Sequence, residues 1–115
     1  MSSTTAPNER PRISACIITF NEADRIADCL ASLDFCDELV VVDSYSTDDT
    51  VAIAQAAGAM VHSRAFTGFR NQKDFAVGQA RHDWVLCLDA DERISPELRA
   101  AILAARDSGF AGHAG

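Results

Sequence analysis

Asp89 and Asp91 stand two residues apart where the apolar run Trp84–Leu88 ends, and Glu92 follows at once. Two carboxylates this close repel and raise each other's pKa unless a cation holds them. Oxygen donors of this kind suit Mg²⁺ or Mn²⁺, which usually binds through one or two carboxylates together with a substrate's phosphates. A cation so held polarises a diphosphate and neutralises the charge that develops as it leaves. The plainer reading is a solvated turn whose acids favour the N-terminus of the next helix. Asp-x-Asp alone is a weak motif. The pair favours the metal reading, and Glu92 fits either.

Other segments carry side chains that suit the same chemistry. Asp43 closes a run of three valines. It either helps Ser46 to cap a helix or accepts a hydrogen bond from a base N–H. Thr19, Asn21 and Glu22 follow the first apolar run. Asn21 reads first as a helix cap and second as a ligand contact, while Thr19 offers its hydroxyl or backbone. The stretch "GFRNQKD" (68–74) carries Arg70, Gln72 and Lys73. Basic residues on a loop beside a crevice can meet phosphate. Gln72 and Lys73 are candidates for that role, and Arg70 reads as part of a solvated helix face. Tyr45 is a loop aromatic, although its ring can stack on a base. His62 and His82 have no metal-ligand spacing, and His113 lies near the C-terminal end.

Four short runs rich in β-branched or aromatic residues predict strands at 13–19, 39–43, 59–63 and 84–89. The second and fourth are nearly continuous, as in strands covered on both faces of a parallel sheet. Helical patterns lie between them. Asn21 with Asp24 predicts a capped start, followed by Ile26, Cys29, Leu30 and Leu33 at helical spacing. Ser46 with Asp49 repeats that arrangement, and Gly58 supplies a stop. A third helix is expected over 69–80. Ser95-Pro96 opens a fourth, whose apolar stripe is Leu98, Ile102 and Ala105.

The order βαβαβαβα predicts an α/β fold: a doubly wound, mostly parallel sheet with helices on both faces. Ligands of such sheets bind beyond the carboxyl ends of the strands, where strand order reverses. With strand order 3-2-1-4, Thr19-Phe20-Asn21-Glu22, Asp43-Ser44 and Asp89-Ala90-Asp91 converge there.

The chain has 115 residues and a net charge of −7, from 10 basic and 17 acidic side chains. That length supports one domain with one core. The acidic balance argues against nucleic acid, whose binders neutralise phosphates with Lys and Arg. Residues 1–12 are polar with two prolines and read as a disordered tail on a cytoplasmic chain. Residues 13–107 form the expected domain, and 108–115 a flexible, glycine-rich end. No stretch approaches the length of a membrane span. None of Cys16, Cys29, Cys36 and Cys87 forms a Cys-x-x-Cys pair, so all read as small buried hydrophobes.

Taken together, "ISACIITFNEADRIADCLASL", "ELVVVDSYSTDDTVAIAQAAGA" and "WVLCLDADERISPEL" resemble the family 2 glycosyltransferases of the GT-A fold. The pattern F-T-G-F-x-x-Q-K before the Asp-x-Asp strand looks most like the branch that includes lipopolysaccharide-core glucosyltransferases. The resemblance runs from about residue 13 to about residue 105. It implies the Rossmann-like half of a GT-A fold and an inverting sugar transfer from a nucleotide-diphosphate sugar, with UDP-sugar the expected donor. Thr19, Asn21 and Glu22 would line the nucleotide pocket, and Asp43 would bond the base. Gln72 and Lys73 would approach the nucleotide. Asp89 would contact the ribose or the metal, and Asp91 would ligate the Mg²⁺ or Mn²⁺.

Members of that family are much longer, and their acceptor-binding half follows the region matched here. The expectation is therefore a donor-binding half, truncated after the fourth β/α unit. The general base and the contacts to a glycan or lipid-linked acceptor would lie beyond residue 115, and the fourth strand would be an uncovered edge. In the full-length protein the inner face of the membrane is the expected place of action. The rival reading is a non-catalytic nucleotide-binding module. Phosphatase-like and receiver-like readings fail on Arg93, two residues beyond the second Asp, and on Glu22 as the lone acid after the first strand.

Overall fold

The computed structural model describes residues 11–82 and 84–107. The expected C-terminal end, and all but two residues of the expected N-terminal tail, lie outside them. Eight elements alternate: β1 (Ile13–Thr19), α1 (Ile26–Ala31), β2 (Glu38–Asp43), α2 (Thr50–Ala56), β3 (Met60–Ser63), α3 (Phe69–Gln79), β4 (Trp84–Asp89) and α4 (Pro96–Asp107). The sheet order is β3-β2-β1-β4, and every pairing is parallel. The expected α/β fold and strand order are both present.

All seven residues of β1 are buried, because the central strand has neighbours in the sheet and helices over both faces. Alternation along the strands sorts them. Ala15, Ile17, Val41 and Leu88 face Ile26, Cys29, Leu30 and Leu33 of the α1 segment and Ala54 of α2. Cys16, Val40 and Val42 face the other way, onto Ala76 of α3. The period-two flip of a strand makes this possible without a polar side. At the edges the pattern weakens. Met60 on β3 is half exposed, Cys36 is part-buried and Cys87 on β4 is exposed, so the expectation of four buried cysteines holds at Cys16 and Cys29 and fails outright at Cys87. Burial pushes the thiols of Cys16 and Cys36 up to about 12 and that of Cys29 to about 11, which keeps all three protonated and inert at neutral pH.

Two expected helix caps are not caps. Asn21 has φ 52 and lies ahead of α1, whose N-cap position is Arg25 with no side-chain bond. Ser46 lies ahead of α2, whose N-cap position is Asp49, and Asp48 accepts the Thr50 N–H instead at 3.0 Å. Both side chains are engaged across the loops. The helix stop at Gly58 is present, with φ 91. The N–H of Gly58 bonds Gln55 O at 3.0 Å and that of Ala59 bonds Ala54 O at 3.1 Å, the paired pattern that closes a helix through a left-handed residue. Ser95 caps α4 through Leu98 N–H at 3.1 Å. The stripe on α4 is shallow, since Leu98 is half exposed, and Arg106 reaches Phe35 O at 3.4 Å.

Ile17 is fully buried in the α1/α2-side core. Ile17→Ala is expected to destabilise the domain by about 2–5 kcal/mol, read from the midpoint shift in urea denaturation.

Candidate functional site

The carboxyl ends of β1, β2 and β4 meet at one end of the sheet, where Ile18 pairs with Asp89 and Thr19 with Asp43. Asp43 is fully buried. Its Oδ1 accepts from Thr19 Oγ1 at 2.6 Å and from Ser46 Oγ at 2.6 Å, and its Oδ2 accepts from Ser46 N–H at 2.7 Å. A buried carboxylate is tolerable because donors of this kind replace its water.

From Ser46 the network crosses to the loop after β1. Three successive backbone N–H groups of that loop are taken by side chains of the loop after β2 and of the first residue of α2. Asn21 donates to Ser46 Oγ at 2.7 Å, Glu22 to Thr50 Oγ1 at 2.8 Å and Ala23 to Asp48 Oδ2 at 3.2 Å. Asn21 Oδ1 answers by accepting from Thr47 N–H at 2.8 Å. Thr50 Oγ1 in turn donates to Asp48 Oδ1. The Thr50 hydroxyl, and the N–H groups of Thr50 and Ala23, outweigh desolvation and hold the Asp48 carboxyl below its usual range. The two loops therefore form one clamped unit.

The loop after β4 is shaped by Glu92. Its carboxylate accepts from Asp89 N–H at 2.8 Å, and its own N–H bonds Asp89 O at 2.9 Å. Of its two readings, the turn-forming one is visible. Ala90 is buried, so the chain turns tightly and leaves Asp89 and Asp91 exposed. Lys73 Nζ lies 3.9 Å from Asp89 Oδ1. Both groups are about half exposed, so the pair adds little stability.

A cleft of about 380 Å³ joins these pieces, lined by Thr19, Glu22, Asp89 and Asp91 and by the aromatic side chains Phe20, Phe66 and Phe69. Four of the expected site residues thus line one cleft. Asp43 and Gln72 are fully buried behind it, Asn21 belongs to the clamp, and Lys73 reaches the cleft through Asp89. The three phenylalanines are site residues that sequence reasoning leaves without a role. Their signal is an aromatic side chain in a loop or at the first residue of a helix, where burial does not account for it. All three are at least half exposed. A larger groove of about 810 Å³ opens elsewhere, along Leu30, Ile53 and Met60. It contains none of these residues.

No three His, Cys, Asp or Glu side chains converge as a metal cage among the described residues. Asp89 and Asp91 fit the other kind of site, in which a hard divalent ion takes one or two carboxylates and completes its shell with water and phosphate oxygens.

The sequence profile of "Glycosyl transferase family 2" matches residues 14–112. The chain belongs to glycosyl transferase family 2. An uncharacterized glycosyltransferase of Rickettsia felis is 52% identical over 89 residues, which are 76% of this chain and 31% of that protein. The lipopolysaccharide core biosynthesis glycosyltransferase LpsC of Rhizobium meliloti is 40% identical over 92 residues, covering 76% of this chain and 34% of that protein. Glucosyl-3-phosphoglycerate synthase from Mycobacterium tuberculosis, solved with Mn²⁺, UDP and glucosyl-3-phosphoglycerate, superposes with a TM-score of 0.63 at 27% identity. That match covers 72% of this chain and 36% of the synthase. The chain spans about a third of the length of the curated family members it matches.

Because the Asp48 carboxyl is held below its ordinary value of 3.8, the clamp contributes above that value and is lost as pH falls through the lowered one. The amide resonances of Ala23 and Thr50 are expected to stay put from pH 7 to 4 and to move together only in stronger acid. Asp48→Asn should remove that transition.

Proposed function

We propose that this chain forms the donor side of an inverting glycosyltransferase. It would take a nucleotide-diphosphate sugar, with UDP-sugar as the donor, and serve transfer to a cell-envelope glycan or lipopolysaccharide acceptor. The place of action is the cytoplasm or the inner face of the membrane. One observation carries this reading: a single cleft is lined both by aromatic rings, those of Phe20, Phe66 and Phe69, and by the carboxylates Asp89 and Asp91. A nucleotide diphosphate combines the matching groups, a flat base and charged phosphates. LpsC, at 40% identity, supports the acceptor class, and the synthase solved with Mn²⁺ and UDP supports the donor.

Asp89 and Asp91 would hold Mg²⁺ or Mn²⁺. The ion, when bound, supplies a Lewis acid for the diphosphate oxygens. The chain's own residues do the rest of the holding. Glu92 fixes the turn so that both acids face the cleft. Lys73, beside Asp89, adds a second positive charge on the phosphate side. The clamp holds the backbone of Glu22, which lines the same cleft together with Thr19. Phe20, Phe66 and Phe69 exclude water from the base and offer their faces to it.

Titration with UDP, with and without Mn²⁺, separates this reading from a non-catalytic nucleotide-binding module. Mn²⁺ is expected to tighten UDP binding by at least about tenfold, or about 1.4 kcal/mol. Asp91→Asn should abolish that gain with the circular dichroism spectrum unchanged. Equal affinity with and without the metal would favour the binding-module alternative.

A further inference from the structure

We propose that Lys73 is a movable counter-ion that makes metal and nucleotide bind cooperatively. It neutralises Asp89 while no divalent ion is bound, gives that carboxylate up to the ion, and passes its charge to the diphosphate. This rests on the donor-binding reading above. The chain has 10 basic side chains, and Lys73 is the one lysine among them. Its Nζ lies 3.9 Å from Asp89 Oδ1, and Asp89 lines the cleft. Arg93, two residues beyond Asp91, is drawn away to Asp28 at 3.8 Å. Lys73 is therefore the cation that the structure places on the acidic turn.

The charge of the turn calls for this partner, and the weakness of the contact makes it movable. Asp89 stands beside Asp91 and Glu92, so three acids crowd one turn. Like charges this close repel, and a nearby cation relieves them. At 3.9 Å the contact is longer than a hydrogen bond, and both groups are about half exposed. Water screens such a pair and replaces it at little cost. An arginine would grip both carboxylate oxygens with a rigid fork, whereas a lysine offers one compact charge on a flexible stem. The base of that stem is fixed, because Gln72 beside it on α3 is fully buried. The ammonium can move while the helix stays.

A divalent ion on Asp89 and Asp91 displaces Lys73, since a second cation at the same carboxylate is repelled by the first. The metal alone therefore binds against the loss of an ion pair. A nucleotide diphosphate gives the displaced ammonium a new partner. Conversely, a diphosphate that has drawn Lys73 away leaves Asp89 open to the ion. Each ligand thus helps the other by the same factor, as linkage requires. The weaker of the two pairings, Lys73 with Asp89 or Lys73 with phosphate, limits that factor.

The test uses the full chain. It reads Mn²⁺ binding alone, from the paramagnetic resonance signal of the free ion, and UDP binding with and without Mn²⁺. Lys73→Met, which loses the charge, is expected to tighten Mn²⁺ alone about two- to fivefold, the worth of an exposed ion pair. The gain in UDP affinity that Mn²⁺ brings should shrink in the same variant by up to that factor. Lys73→Arg, which keeps the charge, should bind Mn²⁺ no tighter than the unsubstituted chain. A residue that only supported the fold would, on removal, weaken both ligands. Unchanged or weaker Mn²⁺ binding in Lys73→Met, or an undiminished gain for UDP, would overturn this inference and leave the donor-binding reading standing. No UDP binding by the unsubstituted chain would overturn that reading and the cooperativity together.

Discussion

A carboxylate with no access to water must have its donors supplied by the protein. Asp43 ends the second strand at zero exposure, and it finds Thr19 on the neighbouring strand and Ser46 in its own loop. Much of the ligand end of the fold follows from that requirement. Once Ser46 is fixed by Asp43, its oxygen is placed to accept from Asn21, and Asn21 in turn accepts from Thr47. Asp48 and Thr50 extend the same contact to Glu22 and Ala23. Buried polar networks are costly when incomplete and rigid when complete. Here the buried part is Asp43 with Thr19, and exposed or part-buried hydrogen bonds carry the link from Ser46 onward between the two loops.

The parallel sheet supplies the other constraint. Every strand ends at the same side, so each contributes its first loop residue to one region. The central position of β1 places Thr19 between Asp43 on one neighbour and the Asp89 turn on the other. Acids collect on the β4 side, where Lys73 is their near cation. Aromatic side chains collect where the loop after β1 meets the start of α3, with Phe66 and Phe69 in edge-to-face contact at 5.1 Å. A cleft lined by both acids and aromatic rings is the sum of these placements.

Much of this is legible in the amino-acid order. Strand runs, helix order and the Ser95 cap follow from periodicity and local chemistry, which act over a few residues. The approach of the loops after β1, β2 and β4 follows from the topology rule for doubly wound sheets. Asn21 and Ser46 look like caps because the pattern of a cap is local, whereas their partners lie about 25 residues away in sequence. Asp43 is legible as a site acid, but its burial is not, since no spacing rule states which donors will surround a strand's last residue. Cys87 sits in as apolar a run as Cys16, yet one is exposed and the other buried. The difference is position in the sheet, edge against centre.

The amino-acid sequence by itself determined the α/β alternation, the parallel strand order and the acids that would gather at one end. Those properties depend on hydrophobic period, turn chemistry and the handedness of crossovers, all written within short segments. Only the tertiary structure decided which polar groups face a ligand and which face each other. Asp43 and Gln72 turn inward, while Ser44, Asp89 and Asp91 remain open. The reason is that a hydrogen bond between distant segments is settled by where the packed sheet and helices bring their atoms, and a residue's type states what it can bond without stating what will be within reach.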